Sequence, residues 1–244
     1  VLSADGFTAD PEKVKVIQQF RAPKSKEEVR SFLGLVTYIG KFLPDLADMT
    51  DPLRILLTKD AKFDWGRRQE EAFCKLKTLL SGIPNLSYFD PVLRTRVIAD
   101  ASPVALGAVL LQFDGNGEPK IISFASKSLS AVEKRYSQTE KESLALVWSV
   151  ERFYYYLAGL DFELVTDHKP LETIFKPTSR PPARIERWLL RLQAFKFKVI
   201  YRAGKDNIAD SISRLCNISD EDSFDGTCEE SIFHVVENSV PATS

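Results

Sequence analysis

The sequence predicts an α/β fold of five strands with several helices, preceded by a small, mainly helical region. From Pro91 onward, apolar runs typical of strands alternate with stretches of helical periodicity, in the order three strands, helix, strand, helix, strand, helix. Before Pro91, the apolar residues recur mostly at helical spacing and the chain carries helix-start signals. A hydrophobic content of 44% is sufficient for a substantial core, which excludes a wholly disordered chain.

Three helices are predicted in the first region. Asp10 followed by Pro11 is a helix-start signal, and Ser25 with Glu28 predicts a capping box that opens a second helix. A third helix is predicted from Arg67 to Leu80. Pro44 and Pro52 are expected to interrupt the chain between the second and third helices. Nothing in this region indicates catalytic chemistry.

The second region divides into strands and helices at turn residues, with GNG at Gly115–Gly117 as a turn between the second and third strands. The predicted strands are Arg94–Asp100, Val104–Gln112, Pro119–Ala125, Phe162–Thr166 and Lys196–Tyr201. The predicted helices run from about Ala131 to Tyr156, from Pro181, and from about Asn207.

Four carboxylates stand among apolar neighbours on four of these elements. Asp100 ends the first strand, Glu142 lies in a long helix, Asp167 closes the fourth strand, and Asp210 lies in the last helix. A charged group among apolar residues must form an ion pair or bind a metal ion. Carboxylates brought together from separate elements are the ligands that Mg²⁺ or Mn²⁺ would need. Taken singly, each acid could also cap a turn, pair with a Lys or Arg, or be exposed.

The order Asp, Glu, Asp, Asp on strand, helix, strand and helix resembles ribonuclease H. The surrounding sequences ADAS, GAVLLQ, TEKESLALV, VTDHKPL and AGKDNIADSISR are similar to the Pol polyprotein of gypsy-type LTR retrotransposons, and the similarity extends over about residues 1–214. The resemblance implies a mixed five-stranded ribonuclease H-like sheet at residues 91–214, preceded by the end of a reverse transcriptase palm at 1–24 and a helical thumb or connection at 25–90. Residues 215–244 are acidic and lack periodicity, which predicts a disordered tail.

The resemblance also implies metal-dependent hydrolysis of the RNA strand of RNA–DNA hybrids. Two Mg²⁺ ions, or Mn²⁺ in their place, would be held by the four acids: Asp100 would bridge both ions, Glu142 and Asp167 would each complete one, and Asp210 would help to hold the ion that activates water.

Five further residues are candidates for substrate binding. By resemblance Gln138 would read the RNA 2′-hydroxyl. His168, directly after Asp167, is a candidate to contact substrate or product, and three arginines at helical spacing are candidates to contact phosphates. A surface amide, a turn histidine and a solvated stripe are the simpler interpretations. The three arginines are Arg184, Arg187 and Arg191.

The net charge of −1 conceals an uneven distribution. The tail from Leu215 holds seven acids and no Lys or Arg, so the first 214 residues carry a net charge of +6. Between Lys176 and Arg214, ten basic residues face three acids. Such an excess is typical of a face that binds phosphates, although a solvated surface has the same composition.

Three cysteines at unpaired spacing, no signal-peptide pattern and no apolar run of about 20 residues predict an intracellular protein without a membrane partner, either cytoplasmic in a virus-like particle or nuclear. The chain lacks a Tyr-x-Asp-Asp polymerase motif. We therefore expect a middle part of Pol, with the palm, fingers and integrase parts as partners and homodimerisation left open.

The main alternative is a non-catalytic fragment that binds hybrid or another subunit. The loop YRAGKDN lacks the histidine that many cellular ribonucleases H carry before the last acid, which leaves room for this alternative. An integrase-type transferase is excluded because those enzymes have their glutamate last in chain order, whereas Glu142 comes second.

Overall fold

The computed structural model describes residues 1–3, 6–176 and 178–203. Its first part is a short hairpin followed by four helices. The hairpin strands are β1 (Leu2–Ser3) and β2 (Gly6–Phe7), and the helices are α1 (Pro11–Gln18), α2 (Lys26–Tyr38), α3 (Leu46–Ile55) and α4 (Arg67–Leu79). The predicted helix from Asn207, the predicted tail and Asp210 lie outside the described residues.

The second part is built on a five-stranded sheet in the order β5-β4-β3-β6-β7. The first three strands in the chain form an antiparallel meander, whereas β6 and β7 run parallel to β3, so the predicted mixed five-stranded sheet is confirmed. The strands are β3 (Arg94–Ala101), β4 (Ala105–Phe113), β5 (Pro119–Ser128), β6 (Asp161–Thr166) and β7 (Lys196–Tyr201).

Four helices accompany this sheet: α5 (Gln138–Arg152), α6 (Tyr154–Leu157), α7 (Pro170–Ile174) and α8 (Ala183–Leu190). The expected start of the long helix at Ala131 is wrong. Ser137 accepts a hydrogen bond from the Glu140 amide while the Glu140 carboxylate accepts one from the Ser137 amide, and this capping box fixes the start of α5 at Gln138.

Pro52 does not interrupt the chain as expected, because it lies inside α3. A proline within a helix removes one backbone hydrogen bond. Here α3 buries Leu46, Ala47 and Leu53 against the sheet side of the molecule, and this packing outweighs the local cost. Of the three helices predicted in this region, α2 begins as expected, with Ser25 accepting a hydrogen bond from the Glu28 amide.

The sheet is covered on both faces by apolar side chains. One buried cluster joins residues of α1–α4 to Ile98, Val109, Phe124 and Val165 of the sheet. The other joins the opposite face, including Val97, to α5 and α8. The helical region therefore has no core of its own that is separate from the sheet. The predicted division at residue 90 remains a prediction.

Three polar contacts fix α3 against the sheet region. The Ala47 amide donates to Ser126 Oγ at 3.1 Å, and Ser102 Oγ donates to Asp48 Oδ1 at 2.8 Å. Lys134 Nζ lies 3.2 Å from Asp51 Oδ1. Together they set the position of α3 along the sheet.

None of the helices in the described part of the chain combines the length and the apolar character that a membrane-spanning helix needs.

Because the helices and the sheet share one apolar cluster, we expect the described part of the chain to unfold cooperatively. Phe124 is only 3% exposed and lies in this shared cluster. Phe124→Ala should cost about 3–5 kcal/mol and should lower the temperature of a single calorimetric transition. Tyr155→Ala, at a position 95% exposed, is the control and should shift that transition little. Two transitions, of which Phe124→Ala moves only one, would contradict the shared core.

Candidate active site

Three acids from three elements meet at one edge of the sheet. Asp100 is the penultimate residue of β3, Asp167 directly follows β6, and Glu142 lies in the second turn of α5. Each offers a carboxylate oxygen, and these oxygens all lie within 4.8 Å of one another. Three of the four acids singled out from the sequence are thus brought together, whereas Asp210 lies outside the described residues.

The sheet topology explains why Asp100 and Asp167 meet. Strands β3 and β6 are parallel neighbours, and Ile98 pairs with Val165, so the next position on the same face places Asp100 beside Asp167. The carboxyl ends of parallel strands lie at the same edge of a sheet. Helix α5 packs across β3 with its first turns at this edge, which brings Glu142 to the two aspartates.

Four residues before the two aspartates, β3 and β6 carry residues of opposite charge at paired positions. Arg96 of β3 pairs with Glu163 of β6 in the register, and Arg96 Nε donates to Glu163 Oε2 at 2.8 Å. At the carboxyl end, the corresponding positions hold two acids. Among the described residues, Asp100, Glu142 and Asp167 form no ion pair with a lysine or arginine. The acidic edge therefore carries negative charge that the described residues leave uncompensated.

Glu142 is the most buried member of the cluster. It is 3% exposed, and its Oε1 accepts a hydrogen bond from Gln138 Nε2 at 2.5 Å. Its Oε2 is buried and has no hydrogen-bond partner in the described part of the chain. Burial, followed by repulsion from Asp100, raises the pKa of Glu142 to about 8. Burial and repulsion from Asp167 also raise the pKa of Asp100.

Gln138 and His168, both predicted to contact substrate, adjoin the acidic cluster. Gln138 is the first residue of α5, and its Nε2 donates to the Ala101 carbonyl at 3.2 Å as well as to Glu142. His168 Nε2 lies 3.0 Å from Thr139 Oγ1, so the residue after Asp167 is held against the first turn of α5. Both side chains therefore position acids of the cluster in this structure. Their contacts with substrate remain predictions.

The three arginines of the predicted stripe differ in their surroundings. Arg184 contacts Glu140 at 2.5 Å, near the start of α5, and stacks on Tyr136 with 4.4 Å to the ring centroid. Arg191 pairs with Glu151 at 2.5 Å, which is nine residues beyond Glu142 and so about 13 Å further along α5. Arg187 is exposed, and its Nε donates to a backbone carbonyl of its own helix. Arg184 is thus near the acids, and Arg191 is near the far end of α5.

Two acids at the start of α3, Asp48 in its first turn and Asp45 directly before it, adjoin the cluster and were not singled out in the sequence. Asp48 accepts a hydrogen bond from Ser102, two residues after Asp100. Asp45 lies against Gly107, the residue that pairs with Asp100 across β3 and β4. Asp45 is an exposed residue, but partial burial of its carboxylate, followed by repulsion from Asp100 and Asp48, raises its pKa above the usual value. A glycine inside a strand is a known signal of close approach, and Gly107 could have indicated this contact.

This arrangement suits oxygen-liganded divalent cations. The cluster lies at an edge of the sheet and offers several carboxylate oxygens, one of them buried and without a hydrogen-bond partner among the described residues. Hard cations such as Mg²⁺ and Mn²⁺ prefer carboxylate oxygens, and a cation would relieve the repulsion that raises the pKa values of Asp100 and Glu142.

The raised pKa of Glu142 predicts a pH-dependent stability in EDTA. Below about pH 4.5 the carboxyl is protonated in both folded and unfolded states; between 4.5 and 8 only the unfolded state ionises, so stability falls as pH rises through this window. Glu142→Gln removes this penalty. With about 1.4 kcal/mol for each tenfold change in the protonation equilibrium, we expect the Tm of the variant at pH 8 to exceed that of the wild type by roughly 5 °C or more.

The Tm difference should shrink towards zero near pH 4.5, and Mg²⁺ should raise the Tm of the wild type at pH 8. Glu186→Gln, at an exposed position of α8, is the matched control and should show no such pH-dependent difference. A Tm difference between Glu142→Gln and wild type that does not change with pH would contradict the raised pKa.

Comparison with known proteins finds a matching family for part of the chain and similar proteins for most of its length. Residues 90–195 match the family described as an RNase H-like domain found in reverse transcriptase. Over 217 residues, 88% of the chain, the sequence is 41% identical to the retrovirus-related Pol polyprotein from transposon 297 of Drosophila melanogaster, of which it covers 20%. It is 36% identical over 218 residues to the Tf2-3 transposon polyprotein of Schizosaccharomyces pombe, covering 16% of that protein. The chain thus spans about a fifth or less of the length of these relatives.

A solved structure shares the fold. The foamy viral protease-reverse transcriptase, determined in complex with an RNA/DNA hybrid, aligns with a TM-score of 0.65 and 20% identity over 82% of this chain and 28% of that one. At this identity the likeness concerns the fold, and it confirms the predicted ribonuclease H-like architecture. Residues 90–195 thus form an RNase H-like domain of the kind found in reverse transcriptase, and over most of its length the chain is similar to Pol polyproteins of LTR retrotransposons.

Proposed function

We propose that this chain hydrolyses the RNA strand of RNA–DNA hybrids in a reaction that depends on divalent metal ions. The observation that carries the proposal is the convergence of Asp100, Glu142 and Asp167, with oxygens within 4.8 Å and no cationic partner among the described residues. A cluster built only for stability would be compensated by cations, as Glu163 is by Arg94 and Arg96. Uncompensated acids at an accessible edge are suited to bind a cation and, through it, a phosphate.

Asp100, Glu142 and Asp167 would hold Mg²⁺ or Mn²⁺, and the orphaned Oε2 of Glu142 is an oxygen that such an ion would satisfy. When bound, the metal supplies the positive charge that attracts the scissile phosphodiester and favours attack by water. Asp210 is proposed as a further ligand by resemblance alone. The two-ion arrangement is likewise proposed from the resemblance.

The remaining residues of the site act by positioning and recognition. Gln138 holds Glu142 by donating from its Nε2 to Glu142 Oε1, and this leaves the amide oxygen of Gln138 available to a substrate hydroxyl. The contact between His168 and Thr139 holds the turn after Asp167. Arg184, next to Glu140, is placed to exchange that carboxylate for a substrate phosphate.

The choice of an RNA–DNA hybrid as substrate rests on kinship. The chain is related to retrotransposon Pol polyproteins, and the foamy viral enzyme of the same fold was solved with an RNA/DNA hybrid. Because the chain spans a small part of those polyproteins, we propose that it works beside their other parts. Contacts with palm, fingers or integrase, and homodimerisation, remain predictions, as does an intracellular location.

Replacement of Asp100 by Asn tests the proposal. The substitution keeps the shape of the side chain but removes a negative charge that would face the metal. We expect cleavage of a labelled RNA–DNA hybrid in Mg²⁺ to fall by at least about a hundredfold, with hybrid binding in EDTA unchanged or slightly tighter, because repulsion of the phosphates is reduced. Gel analysis of the RNA strand and anisotropy of the labelled hybrid give the two readouts.

Asp161→Asn is the matched control. Asp161 is exposed at the other end of β6, so its substitution should leave both cleavage and binding unchanged. Cleavage by Asp100→Asn at the wild-type rate would contradict the assignment. Binding of hybrid by the wild-type chain without cleavage in Mg²⁺ or Mn²⁺ would favour the non-catalytic alternative.

A further inference from the structure

Asp45 stands directly before α3, where an aspartate ordinarily caps the helix with its own carboxylate. Here it makes no such hydrogen bond. The amide of Ala47, which such a cap would satisfy, donates instead to Ser126 Oγ of β5 at 3.1 Å. The usual structural role of an aspartate at this position is therefore filled by another residue.

The backbone of Asp45 directs its carboxylate towards the sheet. Its φ of 45° and ψ of 27° are left-handed, and it is the one residue other than glycine with positive φ in the described ranges. A Cβ built on Gly107 would lie 2.5 Å from Asp45 Oδ1, so the carboxylate occupies the space that any larger residue at 107 would fill. No hydrogen bond or ion pair to this carboxylate comes from the described part of the chain.

That space is next to Asp100. Gly107 and Asp100 face each other across β3 and β4, and side chains of such directly opposite residues have Cβ atoms about 4.5–5.5 Å apart on the same face of the sheet. Asp45, Asp100 and Gly107 also line one small crevice together with Pro44. The carboxylate of Asp45 thus lies beside Asp100, on the flank of the acidic cluster.

We propose that Asp45, from the helical region, is a further acidic residue of the metal site and strengthens its affinity for divalent cations. The inference rests on the proposed function, since it assumes that Asp100, Glu142 and Asp167 bind the metal. It extends that site beyond residues 90–195, the part of the chain that matches the RNase H-like family. Asp45 lies beside Asp100, and its negative charge would strengthen the attraction of the site for a divalent cation.

The affinity of the full chain for Mg²⁺ and for Mn²⁺, measured calorimetrically without nucleic acid, tests this role. Loss of a residue that supports metal ligands typically weakens metal binding by 10- to 100-fold, and we expect about a tenfold loss for Asp45→Asn. Asn keeps the shape and accepts the left-handed backbone, so the Tm in EDTA should be unchanged or raised. Gly107→Ala, which displaces the carboxylate without altering charge, should weaken metal binding in the same direction.

Asp60→Asn is the matched control, because it makes the same change of charge at an exposed position beyond the end of α3. Its affinity for Mg²⁺ should equal that of the wild type. Wild-type affinity in Asp45→Asn, while Asp100→Asn abolishes binding, would overturn the role of Asp45 and leave the proposed function standing. Absence of Mg²⁺ and Mn²⁺ binding by the wild type would overturn both.

Discussion

Electrostatic repulsion among the carboxylates of Asp100, Glu142 and Asp167 is the main physical constraint on this site. Strands β3 and β6 place acids side by side at their carboxyl ends, and α5 adds the buried Glu142. Unpaired charge at a buried position is costly, and the raised pKa of Glu142 expresses that cost. The packing of the surrounding residues must hold the carboxylates together against this repulsion. The binding of a cation between them would reduce the repulsion.

The packing that holds the acids comes from both faces of the sheet. On one face, α5 is fixed by its capping box and by apolar contacts, so Glu142 has little freedom to turn away. On the other face, α3 is held by the shared apolar cluster and by the hydrogen bond between Asp48 and Ser102. The helical region therefore shapes the surroundings of Asp100. The RNase H-like domain and the preceding helices share one apolar cluster beside the site.

Local patterns were sufficient to predict most of the sheet. Strand β7 has the predicted bounds, and Asp100 and Asp167 stand at strand ends as expected, because alternating apolar residues and turn signals are local properties. The start of α5 was misplaced because the cap at Ser137 competes with the periodicity before it. Pro52 lies inside α3, contrary to the expectation from the sequence, because the packing of this helix outweighs a local helix-breaking signal.

The surroundings of the acidic cluster were harder to predict from the sequence than the cluster itself. Asp45 and Asp100 are far apart in the chain, and their approach depends on how α3 packs across β4. Gly107 was the one local signal. Conversely, the arginine stripe was predicted from spacing alone, which could not reveal that Arg184 and Arg191 pair with acids near opposite ends of α5.

Anomalous diffraction from crystals of this chain soaked in Mn²⁺ tests the central claim most directly. Manganese takes the oxygen ligands that magnesium takes, and its anomalous signal locates it independently of any assumption about the reaction. We expect a strong anomalous peak in contact with Asp100, Glu142 and Asp167. Manganese bound only elsewhere, with the three carboxylates protonated or paired with cationic side chains, would contradict it.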